Sequence, residues 1–204
     1  MKATERVTLV LACNATGCKK VLVAVIGKAT PPLCFRPPGC ASPLPYFSQR
    51  NSWMDEAVFK TWVYEMCFRS VRLHTTEQVA FVVDNISSHD GISNDQLVLI
   101  DPPPNTTANF QPHDAGAIAA LKMRYKRRFL CAMVENLDSS TTTNGVARTT
   151  ATFANSRRVS LLDVTRIVQD EWAKATSESL ARCWNKVRCL PAPMQIELTA
   201  LYAD

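Results

Sequence analysis

Residues 79–85 read VAFVVDN, and residues 96–101 read QLVLID before three prolines at 102–104. The first run is short, wholly apolar and ends in a carboxylate, Asp84, which predicts a strand buried on both faces whose C-terminal end opens onto a site. QLVLI at 96–100 is a companion strand, halted where DPPPNTT begins because proline cannot continue a ladder. From Asp114 the chain runs DAGAIAALKMRYKRRFLCAMVENL without proline, a helix of about six turns at roughly 3.6 residues per turn. Strands alternating with helices predict an α/β layered domain around a central mixed sheet.

Upstream, RVTLVLAC at 6–13 and KVLVAVIG at 20–27 are β-branched runs joined by a turn at 14–17, which predicts a hairpin. Six of the twelve prolines fall between positions 30 and 50, so that segment is expected to be an irregular extended connection. Ser52 with Asp55 reads as a capping box opening a helix whose apolar face is Phe59, Trp62, Val63 and Met66. Downstream, 139–158 is dominated by Ser and Thr and predicts a loop. Ser160 with Asp163 then caps the helix LLDVTRIVQDEWAKA, and Leu180, Cys183, Trp184 and Val187 mark the apolar face of another. The organisation expected is a core at 1–138, a loop at 139–158, helices of the same domain at 159–190 and a tail at 191–204.

A chain of 204 residues with 47% hydrophobic and 20% charged content has the composition of a globular protein and not of a disordered or collagenous one. The 23 basic and 18 acidic residues leave +5, which permits an anionic partner without demonstrating one. The eight cysteines show no CxxC pair and no interleaved histidine spacing, which argues against zinc; several sit in apolar runs as small buried hydrophobes, and the chain reads as intracellular and reduced. Lys2, Arg6 and VTLVLAC resemble a secretory leader, but the apolar stretch is at the minimum length and Glu5 interrupts it. No run approaches the roughly 18 to 20 apolar residues of a membrane span, so no membrane partner is expected.

Asp84 and Asp114 are the candidate catalytic and metal-binding residues. A strand's C-terminal edge and a helix N-terminus both suit carboxylates. Brought together, two carboxylates repel unless a hard cation such as Mg²⁺ or Mn²⁺ lies between them. A pair of such ions roughly 3.5–4 Å apart supports in-line phosphodiester displacement. Lys122, Arg124, Lys126, Arg127 and Arg128 cluster on the helix after Asp114, with no acid from 115 to 134, and are candidate DNA contacts. Taken alone, an Asp after a strand also reads as a turn cap, and a basic run as a solvated face; the residues by themselves leave these readings open.

VVDNISSH at 82–89, PPNTTANFQPHDAGAIAALKMRYKRR at 103–128 and LACNATGCKKVLVAVIGKA at 11–29 together resemble the catalytic domain of pogo/Tigger-type transposases. These belong to the DDE superfamily of endonucleases, to which centromere-binding protein B and the jerky-type domesticated proteins are related. NSWMDEAVFKTWV and SLLDVTRIVQDEWAKATSESLARCWNKV extend the similarity over nearly the whole chain. The resemblance implies a ribonuclease H-like mixed sheet flanked by helices, two-metal cleavage and strand transfer on DNA, three acidic ligands and a nuclear location. Asp84 matches the second acid and Asp114 the third. The first acid lies in the family on a strand before the hairpin, in a segment resembling NxDETG, which this sequence does not contain, and the family's helix-turn-helix region is likewise not in it. The implied fold therefore lacks its first strand, and cleavage by this chain is expected to be impaired. The alternative is a domesticated, non-catalytic nucleic-acid-binding or chromatin protein. His89 matches the family histidine and, with Asn85, is expected to support the acids and not to ligate. His113 and Ala115 stand where the family commonly has a hydrophobic residue and Gln.

Overall fold

The computed structural model describes residues 6–83, 95–100, 110–139 and 159–190, with the backbone alone for 136–139. Strand β1 (Thr8–Val10) pairs antiparallel with β2 (Ala24–Gly27), placing Thr8 opposite Ile26 and Val10 opposite Ala24. The hairpin continues to a bridge between Cys13 and Lys20. Between that bridge and the Val10–Ala24 pair the returning strand uses one residue more than its partner, so a bulge splits the two long runs that the sequence predicts as strands. At the tip, the Asn14 side chain accepts from the Lys19 amide at 3.0 Å, and Gly17 adopts φ 71°.

The proline-rich segment is more ordered than expected. It holds a 3₁₀ turn at Leu33–Phe35 and a strand, β3 (Tyr46–Ser48), parallel to β2. All six prolines precede Tyr46, and the last, Pro45, needs only its carbonyl, which accepts from Val25 N at 2.9 Å. The order β1–β2–β3 leaves β3 with a neighbour on one side among the described residues, the position in a sheet where proline is tolerated.

A helical run follows as α1 (Glu56–Trp62), a π-helical stretch (Val63–Phe68) and α2 (Arg69–Arg72). Its cap is Asp55, whose carboxylate accepts from Val58 N at 2.9 Å. Ser52, expected to share that task, is fully buried with φ 55°, a conformation incompatible with an N-cap; its carbonyl instead accepts from the Thr8 hydroxyl at 2.6 Å. Strands β4 (Val79–Val82) and β5 (Leu97–Ile100) pair in parallel as a second sheet. The expectation that β4 is buried on both faces does not hold: Ala80 is exposed, while Phe81 and Leu97 face the helical run. The fold is thus mixed α/β with two small sheets among the described residues, where a single central sheet was expected.

The C-terminal half supplies α3 (Ile118–Ser139), entered through a π turn at His113–Ala117, then α4 (Leu161–Ala173) and α5 (Ser177–Val187). Ser160 and Asp163 form the expected capping box. None of the described helices is long and apolar enough to cross a membrane.

Alternation along β2 explains the layers. Val23 and Val25 point to one side, with Leu121 of α3, Val168 and Trp172 of α4 and Leu180 of α5. Ala24 points to the other, with Phe59, Trp62, Val63, Cys67 and Leu97. Val23 through Ile26 have no exposed surface, because helices cover both faces. Two polar contacts lock the α4 side to the hairpin. The Trp172 indole donates to the Val21 carbonyl at 3.2 Å, and the Lys20 ammonium donates to the carbonyls of Trp172, Ala173 and Ala175 at the end of α4. A cation at a helix C-terminus satisfies carbonyls that have no intrahelical donor.

The hairpin tip abuts α5 so closely that a Cβ at Gly17 would lie 2.5 Å from the Ser177 carbonyl oxygen. Gly17→Ala must strain both the left-handed turn and that contact. It is expected to lower stability by more than about 1 kcal/mol, read as a reduced urea midpoint at unchanged m-value.

Candidate functional site

Asp114 is exposed in the π turn that opens α3, with its amide donating to the Gln111 carbonyl at 3.1 Å. Four contacts hold that turn. His113 places Nε2 3.6 Å from Cys13 Sγ, across a sequence separation of 100 residues. The imidazole stacks on Trp172, with ring centroids 6.3 Å apart at 28°. Lys186 donates to the Ala115 carbonyl at 3.1 Å. Gly116 lies against the Cys183 thiol, with room for little more than its hydrogen.

Burial pushes the His113 pKa below the ordinary imidazole value, with the Asp114 carboxylate pulling the other way. Burial also pushes the Cys13 thiol up to about 11, against a smaller opposing effect of the Trp184 indole. Both groups are therefore neutral near pH 7, and a single proton lies between sulfur and nitrogen. The result is a turn fixed from behind by the hairpin, α4 and α5, with one carboxylate facing outward. His113 does pack as a hydrophobic residue would, and it adds a polar tie to the hairpin.

Asp84, Asn85 and His89 lie outside the described residues, and β4 leads directly to them: Val83 N donates to the Ile100 carbonyl at 3.1 Å. Of the other aspartates weighed, Asp55 caps α1, and Asp95 offers its backbone carbonyl to Gln78. Among the described residues no group of three or more His, Cys, Asp or Glu side chains could hold a metal ion. Asp114 contributes one hard oxygen donor, suited to Mg²⁺ or Mn²⁺; the softer donors Cys13 and His113 are turned towards each other.

The five basic residues of α3 do not form one face. At about 100° per residue they are spread around the helix. Lys122 and Lys126 share one flank and Arg127 another, all three exposed. Arg124 and Arg128 turn towards α4, where each guanidinium Nε lies 3.9 Å from a carboxylate oxygen of Glu171. Lys174 approaches the same carboxylate more tightly, at 2.6 Å. Glu171 is only 3% exposed, so this carboxylate is buried beneath three cations. The sequence does carry a signal for this cluster, although the basic run drew the reading towards DNA: Glu171 follows Ile167 and Val168 at helical spacing, on the apolar face of α4, where an acid needs a partner.

Glu171→Gln removes the charge and keeps the shape. Because the cations are partly exposed and two of the ion pairs are loose, the destabilisation is expected to be about 1–2 kcal/mol in chemical denaturation, below that of a fully buried ion pair.

Comparison with known proteins fits this layout. The family profile described as DDE superfamily endonuclease matches residues 4–184. Tigger transposable element-derived protein 4 of Mus musculus is 28% identical over 140 residues, covering 67% of this chain and 26% of that protein. Jerky protein of Mus musculus is 28% identical over 123 residues, covering 55% of this chain and 22% of that protein. Jerky protein homolog of Homo sapiens is 34% identical over 71 residues, covering 34% of this chain and 12% of that protein. The chain thus spans about a quarter or less of the length of these relatives. No solved structure matches it significantly. With the profile matched over most of its length, the chain belongs to the DDE superfamily of endonucleases.

Proposed function

We propose that this chain is the ribonuclease H-like catalytic core of a transposase-lineage DDE endonuclease, directed at DNA phosphodiesters. The observation that carries the reading is the family match over residues 4–184, combined with an outward-facing Asp114 on a turn held by three separate elements. In this reading the two sheets belong to one larger sheet, completed by a strand between β1 and β4 that carries the first family acid. Residues 1–138 and 159–190 form one domain, with 139–158 as a loop between them and 191–204 as a tail.

Asp84 at the end of β4 and Asp114 at the start of α3 would hold a divalent ion, Mg²⁺ or Mn²⁺. When bound, such an ion activates the attacking water or hydroxyl and stabilises the leaving oxygen. Asp114 is positioned for this by the π turn and by the packing of His113 behind it. His113 is not the general base, since its Nε2 faces the Cys13 thiol. Asn85 and His89 support the acid at position 84. Lys122, Lys126 and Arg127 are the cations free to neutralise backbone phosphates, and a DNA-directed activity places the protein in the nucleus. A non-catalytic DNA-binding role is the second reading, favoured by the presence of only two of the three family acids in this sequence.

Residues 1–204 in Mg²⁺ or Mn²⁺ are expected to nick supercoiled plasmid negligibly, because metal sites of this type depend on fixed placement of every carboxylate. Robust nicking that disappears in Asp84→Ala and Asp114→Ala would show that two acids suffice. Replacing Lys122, Lys126 and Arg127 with Glu should weaken duplex binding and flatten its salt dependence, by roughly 0.9 in log–log slope for each phosphate that is no longer neutralised. Unchanged binding would remove α3 from the DNA interface.

A further inference from the structure

The outer face of α3 is not a uniform basic surface. Met123, Leu130 and Val134 are 68%, 60% and 55% exposed, and their spacing of seven and four residues stacks them in one stripe. Arg127 lies within the stripe, between Met123 and Leu130, and Lys126 flanks it. The inner face of the same helix is already occupied, with Leu121 buried in the core and Tyr125 packed against it. A helix apolar on two opposite sides has a second partner to satisfy, since a solvated face is polar throughout.

Charge selects the partner. A second α3 would bring like cations together, for there is no acid between positions 115 and 134. Residues 191–204 of the chain, PAPMQIELTALYAD, have the opposite character. They contain Glu197 and Asp204 and no basic residue, and Met194, Leu198 and Leu201 recur at the same four- and three-residue helical spacing. The tether is adequate as well. Lys186 on the last turn of α5 bonds to the Ala115 carbonyl at the start of α3. Residues 188–193 can span up to ~20 Å, while Met123 lies only ~12 Å along the helix from Ala115.

We propose that residues 191–204 dock along the outer face of α3, with Met194, Leu198 and Leu201 against Met123, Leu130 and Val134, and with Glu197 and Asp204 towards Arg127 and Lys126. This is an intramolecular helix-on-helix contact of the kind in which an amphipathic segment lays its apolar side on an apolar surface. It does not depend on DNA binding, and it is tested without DNA.

The test uses the full chain with the photo-crosslinking residue p-benzoylphenylalanine at Leu130 and, in a second variant, at Val134. Both sites are exposed, so a folding defect at one leaves the other informative, and circular dichroism identifies the folded variant. After irradiation, mass spectrometry of the digested monomer is expected to find cross-links to residues 194–202. Arg127→Glu should reduce their yield about 2–5-fold, and adding Glu197→Arg should restore it, as expected for an exposed ion pair. Cross-links confined to dimers, cross-links to other segments, or none in a folded variant would each overturn the proposal.

Discussion

Burial of β2 on both faces is the constraint to which the other elements answer. A strand with no exposed surface from Val23 to Ile26 must be covered twice, and its alternating side chains divide the core into two clusters. One cluster recruits the 56–72 helical run and, through it, the second sheet. The other recruits α3, α4 and α5. The hairpin that begins this sheet also supplies the polar ties to the C-terminal half. The Lys20 ammonium ends α4, the Val21 carbonyl receives the Trp172 indole, and Gly17 allows α5 to approach. A shift of register in the hairpin would therefore disturb all three C-terminal helices.

The site depends on this arrangement. Asp114 does not owe its position to α3 alone, because the π turn before the helix is braced by the hairpin thiol, the Trp172 ring and the Lys186 ammonium. Groups that look reactive in the sequence, Cys13 and His113, are consumed in this bracing and are neutral near pH 7. The acid between them and solvent is left facing outward. The basic residues of α3 are divided in the same way. Arg124 and Arg128 join helices through Glu171, while Lys122, Lys126 and Arg127 remain exposed on the outer flanks. A cluster that is continuous in sequence thus serves two purposes on two sides of one helix.

Much of the local structure was legible. The capping box at Ser160 and Asp163, the apolar faces around Phe59 and Leu180, the parallel partner at 97–100 and the long helix after Asp114 all follow from spacing and residue type. The misreadings share one cause, a tertiary partner that local residue type does not reveal. Proline density in 30–45 suggested an irregular segment, but Tyr46–Ser48 contains no proline and gains its ladder from β2. Ser52 has the right residue type for a cap, yet its burial beneath Thr8 set its backbone in another conformation.

For the candidate site, the sequence by itself determined the identity and spacing of Asp84 and Asp114 and the family blocks around them, because these depend on residue type alone. Only the tertiary structure decided that His113 binds to Cys13, that Glu171 collects three cations, and which of the five basic side chains of α3 stay in solvent. Those outcomes are pairings between residues far apart in the chain. Local propensity governs the hydrogen bonds within a helix or strand, whereas the partner of a side chain is set by what packing brings within reach.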